Sequence, residues 1–177
     1  MNMKKIALAA AVFTAMITGA NAKDQGHGTL TFKGSVIDAP CSIDAKSLDQ
    51  TIQLGAISKD QLKSGGTSTP VGFDIQLHDC DAATANKASI TFNGYAGSST
   101  DGLDNSFAVT GDGTGVGVTI TDLGGKIIKP NTASDLPPMA DGDNDLKFQA
   151  YVQGTTASAG AVPGAFQSVA NFVMSYQ

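Results

Sequence analysis

The chain has 177 residues, a formal charge of −5, 21 glycines, 8 phenylalanines, no tryptophan, two cysteines and two histidines. An acidic chain of this kind lacks the basic faces that nucleic acids and anionic membrane surfaces require, which sets both partner classes aside. The absence of tryptophan, a favoured sugar-stacking side chain, and the scarcity of candidate bases weigh against a lectin or a hydrolase.

Met1 to Ala22 carries Lys4 and Lys5, an apolar stretch from Ile6 to Ile17, and small residues ending Ala20-Asn21-Ala22. This is the layout of a secretory signal with an A-x-A cleavage site. The apolar stretch falls short of the roughly 20 residues of a membrane-spanning helix. Removing 22 residues from 177 leaves 155, and with two lysines gone the balance is 9 basic against 16 acidic residues, a charge of −7. That length suits one domain with a single core.

Gln25 to Gly34 reads Q-G-H-G-T-L-T-F-K-G. Gly28, Leu30 and Phe32 fall on one face and Thr29, Thr31 and Lys33 on the other, the period of a strand, yet no turn or neighbouring strand accompanies it. Cys41 and Cys80 follow, 39 residues apart. In the oxidising setting of an exported chain they are expected to form one disulfide, worth about 4 kcal/mol by loop-closure entropy. Structural zinc is the weaker alternative, since His27 and His78 complete no C-x-x-C or H-x-x-H cluster.

Alternation then recurs along the chain. It marks Ile52, Leu54 and Ala56; Val71, Phe73, Ile75 and Leu77; Ile90 and Phe92; Phe107 and Val109; and Val116, Val118 and Ile120 against Gly117, Thr119 and Thr121. Leu146, Phe148, Ala150 and Val152 follow, and then Phe166, Ala170, Phe172, Met174 and Tyr176. Each run is expected to be a strand with one buried face. Between them lie turn clusters at 63–66, 97–102, 123–126 and 141–145, rich in the Gly and Asp that tight reversals use, and 58–63 suits one helical turn. About seven or eight short strands in one domain indicate a β-sandwich.

Three stretches invite a chemical reading, and each fails on spacing. Thr110 to Val118 is glycine-rich but holds neither a G-x-G-x-x-G register nor G-K-[ST], so a hairpin is expected there. Asp141-Gly-Asp-Asn-Asp145 begins like a calcium loop, but its sixth position is Leu146 and its twelfth Val152, which leaves a solvated turn before the strand at Leu146. Neither His27 nor His78 stands near a G-x-S-x-G or another recognisable nucleophile setting. No catalytic residue, cofactor or metal is therefore expected, and a periplasmic enzyme is the least favoured reading.

The two ends carry the strongest signal. Gly164 to Gln177 reads G-A-F-Q-S-V-A-N-F-V-M-S-Y-Q, with glycine fourteenth from the end and tyrosine penultimate. This resembles the C-terminal motif of pilus subunits assembled by a periplasmic chaperone and an outer-membrane usher. Gly26 to Ile43, with Cys41 after Ala39-Pro40, resembles the start of type 1 and P pilus rod subunits, and Cys80 ends the run V-G-F-D-I-Q-L-H-D-C as in that family. The resemblance covers essentially the whole chain after the leader.

It implies an all-β fold, an incomplete immunoglobulin-like sandwich missing its seventh strand, with 1–22 as signal peptide, 23–33 as donor-strand extension and 34–177 as pilin domain. It also implies a groove along the C-terminal strand, marked by Gly164, Phe166, Phe172, Met174, Tyr176 and Gln177. A chaperone strand would fill that groove in the periplasm, anchoring the carboxylate of Gln177. In the fibre the extension of the next subunit would replace it, with Leu30 and Phe32 as anchors and Gly26 and Gly28 on the same face. The implied function is that of the major subunit of a cell-surface fimbria serving adhesion, a homopolymer joined to other fimbrial subunits, with no host receptor binding this subunit directly. A minor adaptor or terminator and a sugar-binding adhesin are the alternatives; a single domain carrying an extension argues against the adhesin.

Overall fold

The computed structural model describes residues 27–85 and 87–176, so the expected signal peptide, Gly26 and Gln177 lie outside the described residues. The chain divides into two compact units, Met1–Val36 and Ile37–Gln177. In the first, residues 27–36 form no regular secondary structure, and Leu30 and Phe32 are 82% and 89% exposed.

The second unit contains eleven strands among its described residues. They are β1 (Ser42–Ile43), β2 (Val71–Cys80), β3 (Ala88–Asn93), β4 (Phe107–Ala108), β5 (Thr110–Gly111), β6 (Val116–Asp122), β7 (Ile127–Ile128), β8 (Ala133–Asp135), β9 (Gly142–Gly154), β10 (Phe166–Gln167) and β11 (Asn171–Tyr176). One sheet runs β1-β2-β9-β6-β4, with β7 also on β6; a second runs β11-β3-β8; β5 and β10 form a small ladder of their own. All pairings are antiparallel, which allows each sheet to bury one face and leave the other wet.

The alternation expected of β2, β3 and β9 sets the register. Phe73 pairs with Phe148 and Ile75 with Leu146, while β3 buries Ala88, Ile90 and Phe92 in strict alternation. The two sheets meet through these residues: the Phe92 ring stands edge-on to Phe148 at 5.3 Å and to Phe73 at 6.3 Å. Such aromatic pairs add about 0.5–1.5 kcal/mol to the burial of their area. The Cys41–Cys80 disulfide joins the approach to β1 to the end of β2.

Three expectations need correction. The alternating run Ile52-Leu54-Ala56 is not a strand: Ile52 and Leu54 are half-buried and Gln53 exposed, as alternation requires, but the segment has no ladder partner among the described residues. A strand is defined by its neighbour, and here that neighbour is missing. On β6, Thr119 and Thr121 are as buried as Ile120, so this strand is covered on both faces. The Thr119 hydroxyl is 2.7 Å from that of Ser106 and donates to Gln153 Oε1 at 3.3 Å, so the burial of polar groups is offset by hydrogen bonds. Finally, Asp141 to Asp145 is not a free turn before a strand. The ladder of β9 already begins at Gly142, opposite Cys80, because β2 extends far enough to pair with it.

Candidate functional site

The sandwich is open along one side. A groove of about 790 Å³ runs between residues 47–55 on one wall and 164–172 on the other. Its floor is made by Phe73, Ile75, Phe92, Phe107, Ile120 and Ala150, contributed by β2, β3, β4, β6 and β9. Val118 lines it as well, and is half-buried although it belongs to the inward set of β6. Ile75, Phe92, Phe107, Ile120 and Ala150 are buried at the bottom, while Phe73, Val118 and Phe172 are half-buried and present the apolar area that sheets normally hide.

Both walls have free edges. Among the described residues β11 pairs with β3 alone, and residues 51–57 belong to no strand. Between two such edges an added strand finds backbone partners on either side and an apolar floor below, the geometry of strand addition. Asp49 is the one charged residue among the described residues of the groove's lining, so the surface suits an apolar extended segment and offers little for proton transfer.

The C-terminal residues build the second wall in two steps. Phe166 pairs with Gly111 in the β5–β10 ladder, and from Asn171 the chain pairs with β3, with Phe172 opposite Phe92. At the crossover Ser168 Oγ donates to the Ala108 carbonyl at 2.9 Å. Gly164, Phe166 and Phe172 line the groove; Met174 and Tyr176 lie on the same face of β11 as Phe172 and pack against the core as half-buried residues. Burial pushes the Tyr176 phenol up from its ordinary pKa. Tyr176 also borders a second hollow of about 500 Å³ with Asp38, Ala39, Pro40 and Thr84.

Gly164 has a steric reason that the sequence pattern did not supply. A Cβ there would stand 2.5 Å from the Asp112 carbonyl carbon and from the Gly113 nitrogen, so only glycine lets the two backbones approach. The wall at 47–55 was also missed as a wall; its signal was the alternation at Ile52 and Leu54, legible but without a partner to explain it. Gly28, Leu30 and Phe32 belong to the other unit, where Gly28 has open space around its Cα.

An antiparallel sandwich with a groove beside its C-terminal strand defines a class of open β-sandwich domains, and solved pilus rod subunits share this fold. Residues 30–177 match the model of the family described as Fimbrial protein. The chain is 45% identical to the Fimbria A protein of Serratia marcescens over 177 residues, and 44% identical to the Major MR/P fimbria protein of Proteus mirabilis over 178 residues, in both cases across all of each chain. Its fold superposes with a TM-score of 0.74 on a solved chaperone-usher pilus, in a study of rod uncoiling, at 36% identity over 86% of this chain and 97% of that one. The chain belongs to the Fimbrial protein family, among the major pilins of chaperone-usher fimbriae. It is a major structural subunit that polymerises with other subunits, and as members of this family form bacterial surface fibres it is an exported protein.

Proposed function

We propose that the extension at residues 23–33 of one copy lies in the groove of the next, and that this joint, repeated, makes the fibre. Leu30 and Phe32 act as anchors over the phenylalanine-rich floor. Each contributes about 1.5–3 kcal/mol on full burial, and the backbone pairs with both walls whatever the side chains are. Donor-strand complementation between chaperones and pilins is an established instance of this binding mode. A periplasmic chaperone strand fills the groove before assembly, with Gly164, Phe166, Phe172, Met174, Tyr176 and Gln177 as its docking edge, and the usher passes subunits to the growing fibre.

The observation that carries this reading is the groove itself, among the described residues uncharged but for Asp49 and flanked by a wall that alternates like a strand but pairs with no described strand. A donor strand leaves such a groove only by exposing the core, so the fibre persists through a high barrier as well as through affinity.

The test is Gly28→Asn. Gly28 shares its face with Leu30 and Phe32, and period 2 leaves no register that buries the anchors while turning a bulky residue at 28 outward. The variant is expected to bind the chaperone and to fail in fibre formation, scored by electron microscopy and by the ladder of detergent-resistant oligomers. Normal fibres would overturn the reading.

A further inference from the structure

His78 lies on β2 opposite Ser42 of β1 and beside the start of β9. Its Nδ1 is 2.9 Å from Asp143 Oδ1, and its Nε2 is 3.2 Å from Asp44 Oδ2. Carboxylates only accept hydrogen bonds, and a neutral imidazole has one N–H and one lone pair. Both contacts are therefore satisfied only by the imidazolium, which donates to each.

Asp44 is the beginning of the strap that becomes the groove wall. Its Oδ1 accepts the Lys46 N–H at 2.8 Å and its carbonyl accepts the Ser47 N–H at 2.9 Å. Ser47 is buried, its hydroxyl accepts the Gln76 N–H at 3.0 Å, and Gln50 Nε2 donates to the Asp74 carbonyl at 2.7 Å. The wall along the groove starts at Ser47, three residues beyond Asp44.

We propose that His78 is a pH-operated clasp on the groove: as a cation it holds the Asp44 turn, and with it the wall at residues 47–55, against the first sheet, and on losing its proton it loosens that wall. The charged groups around it are Asp44 and Lys46 from the segment after β1, Asp143 with Asp145 and Lys147 farther along the same face of β9, and Asp74 on β2 itself. The hydrogen bonds to Asp143 and then to Asp44 hold the His78 pKa above the ordinary 6.5. A histidine raised in the folded state stabilises fully below about pH 6.5, and its contribution is lost as pH rises through the folded value. The clasp rests on the groove reading for its consequence, since what loosens is the wall a donor strand would pair with.

The experiment is backbone hydrogen exchange, expressed as protection factors, on fibres and on the full-length monomer at pH 5.5 and 8.5. In the wild type, protection is expected to fall several-fold at the higher pH, in the monomer at Ser47 and Gln76, whose N–H groups donate to the Asp44 carbonyl and to Ser47 Oγ, and in the fibre along residues 47–55 as well. His78→Gln should show the weaker protection at both pH values, and Asp143→Asn should retain part of the dependence. Equal profiles in the wild type and His78→Gln, or a change confined to residues 42–46, would overturn the clasp. Absence of fibres would count against the groove reading alone, because the monomer decides the clasp on its own.

Discussion

Replacing Gly164 by alanine tests the reason for the glycine fourteenth from the C-terminus. The added Cβ would sit 2.5 Å from Asp112 C and Gly113 N and 2.8 Å from Asp112 Cβ, where ordinary contacts begin near 3.4 Å. The two backbones must separate by close to an ångström, and neither is a flexible side-chain end. Both are tied in place, by Gly113 N–H to the Ala165 carbonyl at 3.0 Å and by the Phe166–Gly111 pairing. Overpacking of this kind costs about 1–3 kcal/mol, a factor of roughly 5 to 150 in an equilibrium constant. The loss should fall on the lip formed by β5 and β10 rather than on the β2–β9 core. Hydrogen exchange of residues 110–113 and 165–167, with fibre yield measured in parallel, reads it directly. Gly72→Ala is the control: its Cβ would meet only the Phe148 carbonyl oxygen at 3.9 Å, so it should behave as the wild type. Equal exchange at the lip in Gly164→Ala and Gly72→Ala would refute the close-approach argument.

Two further outcomes concern the domain's stability. Replacing Cys41 and Cys80 together by serine frees a 39-residue loop and should cost about 4 kcal/mol, lowering the monomer's melting temperature by roughly 10–15 °C; a drop under about 3 °C, followed by calorimetry, would contradict it. Thr119→Val keeps the shape of a fully buried residue but removes its bonds to Ser106 and Gln153, which retain only their longer mutual contact at 3.4 Å and the bond from Gln153 Nε2 to the Gly102 carbonyl. A loss of about 1–3 kcal/mol in chemical denaturation is expected, and a neutral result would mean that the hydroxyl network is dispensable.

The sheet strands were legible in the sequence wherever one face is buried and the other wet. Ile75 and Leu77, Ile90 and Phe92, and Phe148 to Val152 all fall on their expected faces. Legibility failed where a neighbour far along the chain decides the outcome. Thr119 and Thr121 read as a wet face, but Ser106 and Gln153 cover it and satisfy Thr119. Ile52 and Leu54 read as a strand because a side-chain pattern records burial, whereas pairing depends on a neighbour that this copy does not place there. Gly164 was recognised by position, but its contact with Asp112 and Gly113 spans about fifty residues and leaves no local trace. The same holds for His78, whose two carboxylates are 34 and 65 residues away.

In the proposed fibre the groove of one subunit holds the extension of another. A photoactivatable phenylalanine analogue at Phe32, in assembled fibres, tests this most directly. Cross-links are expected to floor and wall peptides containing Phe73, Phe92, Phe107 or Phe172 of a second copy, seen as oligomers under denaturing conditions and mapped by mass spectrometry. Cross-links confined to a single copy, or to peptides outside the groove, would contradict it.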